Sequence, residues 1–258
     1  MDKQFIGQFI GQSFLITGGG SGIGAATARM LAAQGAKITI CGRRANKLDD
    51  VKDTIGEACC AVVADVTDDN ARVSVIEAAV KHGNGLSGLI NNAGNMYRGA
   101  IETLKQDRLL ELFNQNVVAG MMLSGLAVPH LEETAGSIVF IGSAHTRRAF
   151  PGASPYAATK SAVQTLTKVL AAELGDKSIR VNCVIPGAVP TEINQRAGIF
   201  TEEEAAERYE ALAPLHALGR VGSVEEVAEA ISFLLSSPWT TGALLDVDGG
   251  LGLGLTNQ

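Results

Sequence analysis

The chain is 258 residues long and 46% hydrophobic, enough for a large buried core and of a length that often folds as one α/β domain. Its 27 Asp and Glu outnumber its 21 Lys and Arg, and the net charge of -6 argues against general nucleic-acid binding and against an anionic membrane surface, though not against a local basic pocket. No uninterrupted apolar run is long enough to span a bilayer and "MDKQFIGQFIGQ" lacks a secretory pattern, so a soluble cytoplasmic protein is expected.

The tandem "QFIGQFIG" is too short for a repeat architecture and reads as a lead-in. "SFLIT" (13–17) is the first strand candidate and runs through "TGGGSGIG" (17–24) into the helical stretch "GIGAATARMLAAQG". "AKITIC" (36–41) ends in "CGRR", and "ACCAVVAD" (58–65) and "LSGLINNAG" (86–94) follow, separated by helical patterns. A helical stretch over 105–131 contains "LFNQNVVAGMML", with apolar residues at 109, 112, 113, 117 and 121. Next come "GSIVFIGS" (136–143), a helix over 155–176 and "SIRVNCVIPG" (178–187). Residues 188–217 break the rhythm. There Thr201 and Glu204 form a capping-box pattern, and an insertion in the position of a lid is expected. "SVEE" (223–226) repeats the cap before the last long helix, and "GALLDVDGG" (242–250) is the seventh strand candidate. Short apolar strands alternating with helices predict a Rossmann-like, doubly wound parallel sheet of about seven strands, covered on both faces. No linker interrupts 1–258, so one domain is expected.

Cys41, Cys59, Cys60 and Cys183 form no C-x-x-C pair and lie in or beside apolar strands, as buried free thiols of a reducing compartment would. His82, His130 and His216 have no metal-ligand spacing, and no metal site is expected.

The glycine-rich turn carries the first chemistry. It follows a strand and opens a helix, so its backbone can approach a pyrophosphate that the helix N-terminus favours. Gly18, Ser21, Gly22, Ile23 and Gly24 are the candidate contacts. The tip of the second strand, where a carboxylate would bond the adenosine ribose of NAD(H), instead carries Arg43 and Arg44. Two guanidinium groups suit a 2′-phosphate, so NADP(H) is expected over NAD(H), with Arg43, nearer the strand end, the stronger candidate. Tyr156 and Lys160 are spaced one helical turn apart, and a cation beside a phenol lowers its pKa toward useful acid–base chemistry.

Together these segments resemble the short-chain dehydrogenase/reductase family over nearly the whole chain. The resemblance rests on Thr17-Gly18-x-x-x-Gly22-Ile23-Gly24, Asn91-Asn92-Ala93-Gly94, Ser143 thirteen residues before Tyr156-x-x-x-Lys160, Pro186-Gly187 with Thr191 after it, and "DVDGG". It implies that Tyr156 is the general acid or base, and that Lys160 bonds the nicotinamide ribose and, with the oxidised nicotinamide, lowers the phenol. It further implies that Ser143 holds the substrate oxygen and that Asn116 helps hold a water linked to Lys160. It implies cofactor contacts at Asp65 and Val66, at Asn92, Ala93 and Gly94, and at Pro186, Gly187, Val189 and Thr191.

For the substrate, His145, Met96, Tyr97 and Phe150 are candidate walls beside Ser143 and Tyr156, and His145 could equally be a surface or backbone-bonded histidine. Arg147 and Arg148 read as solvated charges or as a basic patch for an anionic substrate. Small residues at Gly120, Gly125, Ala157, Ala158, Ser161 and Ala162 permit close helix packing, and the resemblance implies a homotetramer through these helices and the last strand. The expected function is an NADP(H)-dependent carbonyl reductase or alcohol dehydrogenase. The alternative is a 3-oxoacyl-thioester reductase acting on a carrier-protein or coenzyme A substrate. A non-catalytic dinucleotide-binding regulator is disfavoured because both Tyr156 and Lys160 are present.

Overall fold

Apolar runs become strands and alanine-rich runs become helices across residues 7–199 and 201–254, the part of the chain that the computed structural model describes. In chain order the elements are β1 (Ser13–Thr17), α1 (Gly22–Ala33), β2 (Lys37–Gly42), α2 (Ala45–Ile55), β3 (Cys59–Val63), α3 (Asp69–Gly83), β4 (Gly88–Asn91) and α4 (Gln106–Phe113). They continue with α5 (Ala119–Glu132), β5 (Ser137–Ile141), α6 (Ser154–Glu173), β6 (Arg180–Pro186), α7 (Ile193–Arg196), α8 (Glu202–Leu212), α9 (Val224–Ser236) and β7 (Leu244–Val247). All seven expected strands are present.

The strands form one parallel sheet in the order β3-β2-β1-β4-β5-β6-β7. Strand order reverses between β1 and β4, so the loops leaving their C-terminal ends diverge and open a crevice there. Side chains alternate between the two faces. Phe14 and Ile16 of β1 join a core with α1, α2 and α9, while Leu15 joins a second core with α3, α5 and α6. This two-sided burial explains why the central strands are apolar at nearly every position.

Both expected capping boxes form. Thr201 Oγ1 accepts from the Glu204 N–H at 3.2 Å and Glu204 Oε2 from the Thr201 N–H at 2.7 Å; Ser223 and Glu226 repeat the exchange at 3.2 and 2.8 Å. The insertion after β6 carries α7 and α8, and His216 pins its base. The buried His216 ring donates from Nδ1 to the Leu212 carbonyl at 2.8 Å and accepts from the Ala188 N–H at Nε2, 3.3 Å away. Between α4 and α5 the chain forms one π-helical turn, Asn114–Val118.

Of the tandem "QFIGQFIG", residues 4–6 lie outside the described residues. Its second copy places Phe9 in the core, edge-on to Phe14 with ring centroids 5.1 Å apart. Cys41, Cys59 and Cys183 are buried free thiols and Cys60 is half-buried. Among the described residues no group of His, Cys, Asp and Glu could hold a metal ion, and no helix is long and apolar enough to cross a membrane.

Candidate active site

The glycine turn is locked to β4 by side chains. Thr17 Oγ1 accepts the backbone N–H groups of Asn92 and Ala93 at 3.0 and 2.9 Å. The Asn92 amide donates to the Thr17 and Gly18 carbonyls at 2.8 and 3.2 Å. Gly18 and Gly22 hold φ of +65° and +54°, where other residues are strained, and a Cβ on Gly24 would lie 2.5 Å from the Gly18 carbonyl oxygen. The first turn of α1 carries no acidic residue, and Ser21 caps it without a side-chain bond. A bare-backbone cradle at a helix N-terminus fits a dinucleotide pyrophosphate.

The arginines at the end of β2 each meet a carboxylate brought in from elsewhere. Arg43 lies 3.7 Å from Asp65, at the end of β3. Arg44 pairs with Glu192 at 2.8 Å and donates to Ser21 Oγ at 3.0 Å; Lys47 also reaches Glu192, at 3.6 Å. The Arg44 bond holds the Glu192 carboxyl below its ordinary range. Asp65 also accepts from Thr67, through its backbone N–H and its hydroxyl. The second strand's own tip lacks an acid, as the sequence indicates, but the fold supplies two nearby.

Tyr156 occupies the first turn of α6, just after Pro155, and Lys160 follows one turn later; both are buried. Lys160 Nζ donates to the Ile141 carbonyl at the end of β5 at 2.7 Å and lies 5.6 Å from the Tyr156 ring centroid. Ser143, two residues beyond β5, lines the cleft beside Tyr156 and sits 3.1 Å from His145 Nδ1. Asn116 is buried in the π-helical turn. Its Oδ1 accepts the Asn95 N–H at 2.7 Å, and its Nδ2 donates to the Asn95 carbonyl and Thr159 Oγ1, both at 3.0 Å. It therefore bonds across elements rather than to its own helix, and ties the loop after β4 to α6. Val66 and Asn116 border a small second cavity shared with Lys160 and Thr17.

One electrostatic expectation is corrected. Burial pushes the Tyr156 phenol up to about 12, against a smaller opposing effect from the Ser143 bond, and burial pulls Lys160 down to about 8. With these protein groups alone, Lys160 does not lower the phenol. Desolvation disfavours both charged forms and is the largest effect on each. Burial thus keeps the phenol protonated at neutral pH.

The main cleft is lined at one end by Gly18, Ser21, Gly22, Ile23, Asn92, Ala93 and Gly94, and along its floor by Ser143, Tyr156 and Lys160. Pro186, Gly187, Val189 and Thr191 close its side. Of the candidate substrate walls, Met96, His145 and Phe150 line it. His145 stacks 4.7 Å from Phe150 and 5.2 Å from Tyr156, centroid to centroid. Tyr97 is a correction. It does not line the cleft: its hydroxyl accepts the Lys105 N–H at 2.9 Å and Arg108 lies over its ring at 5.3 Å, so it anchors the start of α4. Arg147 and Arg148 are also elsewhere, on Asp246 and Gln164 and on the Leu215 carbonyl.

In their place the cleft receives Arg98, Arg196 and Arg208, with Asn194, Tyr209 and Leu212 of the insertion. Sequence reasoning missed these. The one available signal was Arg208, the single basic residue of the acidic run "TEEEAAERYEAL". His145 Nε2 and Asn194 Oδ1 are buried without a hydrogen-bond partner among the described residues, as expected of groups that meet a ligand.

Comparison with known proteins agrees with this arrangement. A family model described as enoyl-(acyl carrier protein) reductase matches residues 18–252. The chain is 34% identical over 247 residues to an uncharacterized oxidoreductase of Methylorubrum extorquens, covering 93% of this chain and 98% of that one. It is likewise 34% identical to the 3-oxoacyl-(acyl-carrier-protein) reductase FabG of Thermotoga maritima, with 93% and 98% covered. A short-chain dehydrogenase/reductase of Caenorhabditis elegans, solved with its cofactor, superposes with a TM-score of 0.91 at 28% identity, over 97% of this chain and 98% of that one. This chain belongs to the short-chain dehydrogenase/reductase family of oxidoreductases.

Proposed function

We propose that the protein is an NADP(H)-dependent reductase that converts a ketone or aldehyde to an alcohol, with Tyr156 as the proton donor. The observation that carries the reading is the buried phenol of Tyr156, which lines the cleft beside Ser143 and Lys160 and which burial keeps protonated at neutral pH. When bound, the nicotinamide supplies the hydride that the carbonyl carbon gains. Ser143 orients the carbonyl oxygen, and Tyr156 transfers its proton to that oxygen. Lys160, pulled to about 8 by burial, sits beside the phenol and is suited to return a proton to it. The cavity between Lys160 and Asn116 offers a proton route toward solvent.

The preference for NADP(H) rests on Arg43 and Arg44, whose carboxylate partners a 2′-phosphate would displace. The chain acts as one domain, with residues 188–217 as its lid. A homotetramer is supported by two apolar faces: Met121, Met122, Leu126 and Val169 on α5 and α6, and Phe233 and Trp239 at the end near β7, all exposed. Light scattering is expected to give four times the 26.8 kDa chain mass; a monomer that binds cofactor normally removes that claim.

The likeness to FabG supports a second reading, reduction of a 3-oxoacyl thioester. NADPH oxidation against ketones, aldehydes and 3-oxoacyl thioesters, with NADH in parallel and Tyr156→Phe as control, decides between them. Preference for NADH would overturn the role given to the arginines. Cofactor binding without turnover of any carbonyl would favour a non-catalytic regulator.

A further inference from the structure

Ser143 and His145 follow β5, and both line the cleft with Tyr156. The Ser143 hydroxyl oxygen lies 3.1 Å from His145 Nδ1 and accepts the His145 backbone N–H at 3.3 Å. The imidazole packs against two rings, 4.7 Å from Phe150 at 42° and 5.2 Å from Tyr156 at 86°, centroid to centroid, so its orientation is set by packing. The other ring nitrogen, Nε2, is buried and has no hydrogen-bond partner among the described residues. Arg98 also lines the cleft, but its Nη2 donates to the Pro151 carbonyl at 3.1 Å.

Donor accounting decides what Nε2 can do. A hydroxyl has one proton and two lone pairs, and a neutral imidazole has one N–H and one bare nitrogen. Burial first, and then the charge of Arg98, holds His145 down to about 4, so the ring is neutral at neutral pH. If Ser143 gave its proton to Nδ1, it would have none for a carbonyl oxygen. If Nδ1–H donates instead, the ring and the His145 backbone N–H fill both serine lone pairs, and the serine proton stays free for the substrate. Carbonyl reduction needs the second arrangement. It leaves Nε2 as a bare acceptor, one ring width from the group that holds the carbonyl.

We propose that His145 Nε2 accepts a hydrogen bond from a substrate hydroxyl, so that the substrate is a hydroxyketone or hydroxyaldehyde with its hydroxyl α or β to the carbonyl. The proposal rests on the reductase reading and names its substrate class. A buried acceptor without a partner costs free energy until a donor reaches it, so the site favours a substrate hydroxyl and penalises an analogue that lacks one. A neutral hydroxyl suits the site better than an ammonium group, because the field of Arg98 that disfavours the imidazolium disfavours any second cation there.

The test uses the full chain and matched ketones: 1-hydroxypropan-2-one against 1-fluoropropan-2-one, and 4-hydroxybutan-2-one against pentan-2-one. Fluorine is close to a hydroxyl in size and activates the carbonyl at least as much, but carries no proton. The hydroxylated member of a pair is expected to exceed its partner in kcat/KM by about tenfold or more. The pair with the larger ratio places the hydroxyl α or β. His145→Phe keeps a ring without an acceptor and is expected to collapse the ratio toward one. His145→Gln, whose amide oxygen can accept, is expected to restore part of it, and Arg147→Gln, outside the cleft, to keep it. A readout independent of turnover is the imidazole of His145 by nitrogen-15 NMR. The free protein is expected to show the Nδ1–H tautomer. Adding 1-hydroxypropan-2-one with NADP⁺, which cannot reduce it, is expected to shift Nε2 more than Nδ1. An Nε2–H tautomer overturns the proposal. Turnover of both members of each pair with no preference for the hydroxyl overturns it and leaves the reductase reading standing. No turnover of any ketone, with the Nε2 shift present, supports the His145 site and sinks the reductase reading. Absence of both the preference and the shift overturns the proposal.

Discussion

Thr17 and Asn92 lie 75 residues apart in the chain, and hydrogen bonds at 2.8 and 3.0 Å join them beneath the cofactor end of the cleft. Glu192, near the start of the insertion proposed as a lid, is held instead by ion pairs to Arg44 and Lys47 whose side chains are each about 40% exposed. The floor is thus built from buried polar groups with fixed partners, and removing one strands another. The insertion's contact with the cofactor end is instead made by half-exposed charges that exchange readily with water and salt. A reacting phenol needs the first kind of support, and a segment that must admit a substrate needs the second.

The strongest way to break this contrast is at the floor. Tyr156→Phe removes one hydroxyl, and is expected to lower kcat by about 10²–10⁴-fold while the protein still folds and binds NADPH. Stopped-flow and cofactor fluorescence measure the two separately. Activity within a few-fold of wild type would remove Tyr156 from the chemistry.

The next effects, about 3 kcal/mol each, separate the two regions by pH. His145, at the substrate end, has a folded pKa near 4 against 6.5 when unfolded. The unfolded chain binds this proton first on acidification, so the stability from a neutral His145 is full above pH 6.5 and is lost as pH falls toward 4. Lys160, on the floor, has a folded pKa near 8 against 10.5. Its burial disfavours the charged form, so stability rises as pH climbs from 8 to 10.5. Denaturant melts of wild type, His145→Gln and Lys160→Met across pH 4 to 10.5 isolate each contribution by difference. Identical pH profiles for wild type and His145→Gln would mean that His145 does not titrate as a buried group.

A smaller effect is expected where the lid meets the floor. His216→Phe leaves the Ala188 N–H and the Leu212 carbonyl without their ring partner, at about 1–3 kcal/mol of stability, and speeds proteolysis within residues 188–217. Equal protection of residues 188–217 in both proteins would show that His216 does not pin the base of the insertion. The smallest change is Glu192→Gln. Its ion pairs are solvent-screened, so stability should move by less than about 1 kcal/mol. Releasing Arg44 should still improve NADPH binding relative to NADH, by calorimetric titration. An unchanged ratio would show that Arg44 does not meet the 2′-phosphate.

Much of the floor was legible in the chain itself. Strand runs such as "SIVFI", the glycine turn, both capping boxes and the Tyr156–Lys160 spacing are local patterns, set by side-chain periodicity and by backbone groups a few residues apart. The sequence by itself determined the parallel sheet, the glycine turn between β1 and α1 and the spacing that sets Tyr156 one helical turn before Lys160. The tertiary structure alone decided what faces the cleft and how strongly it is desolvated. It turned Tyr97 onto α4, tied Arg147 to Asp246, brought Asp65 and Glu192 to the two arginines after β2, and carried Arg98 and Arg208 to the substrate end. It also raised the Tyr156 phenol where the neighbouring lysine alone predicted a fall. Facing and burial depend on residues a hundred positions apart, and no local spacing encodes the free energy of removing a charge from water.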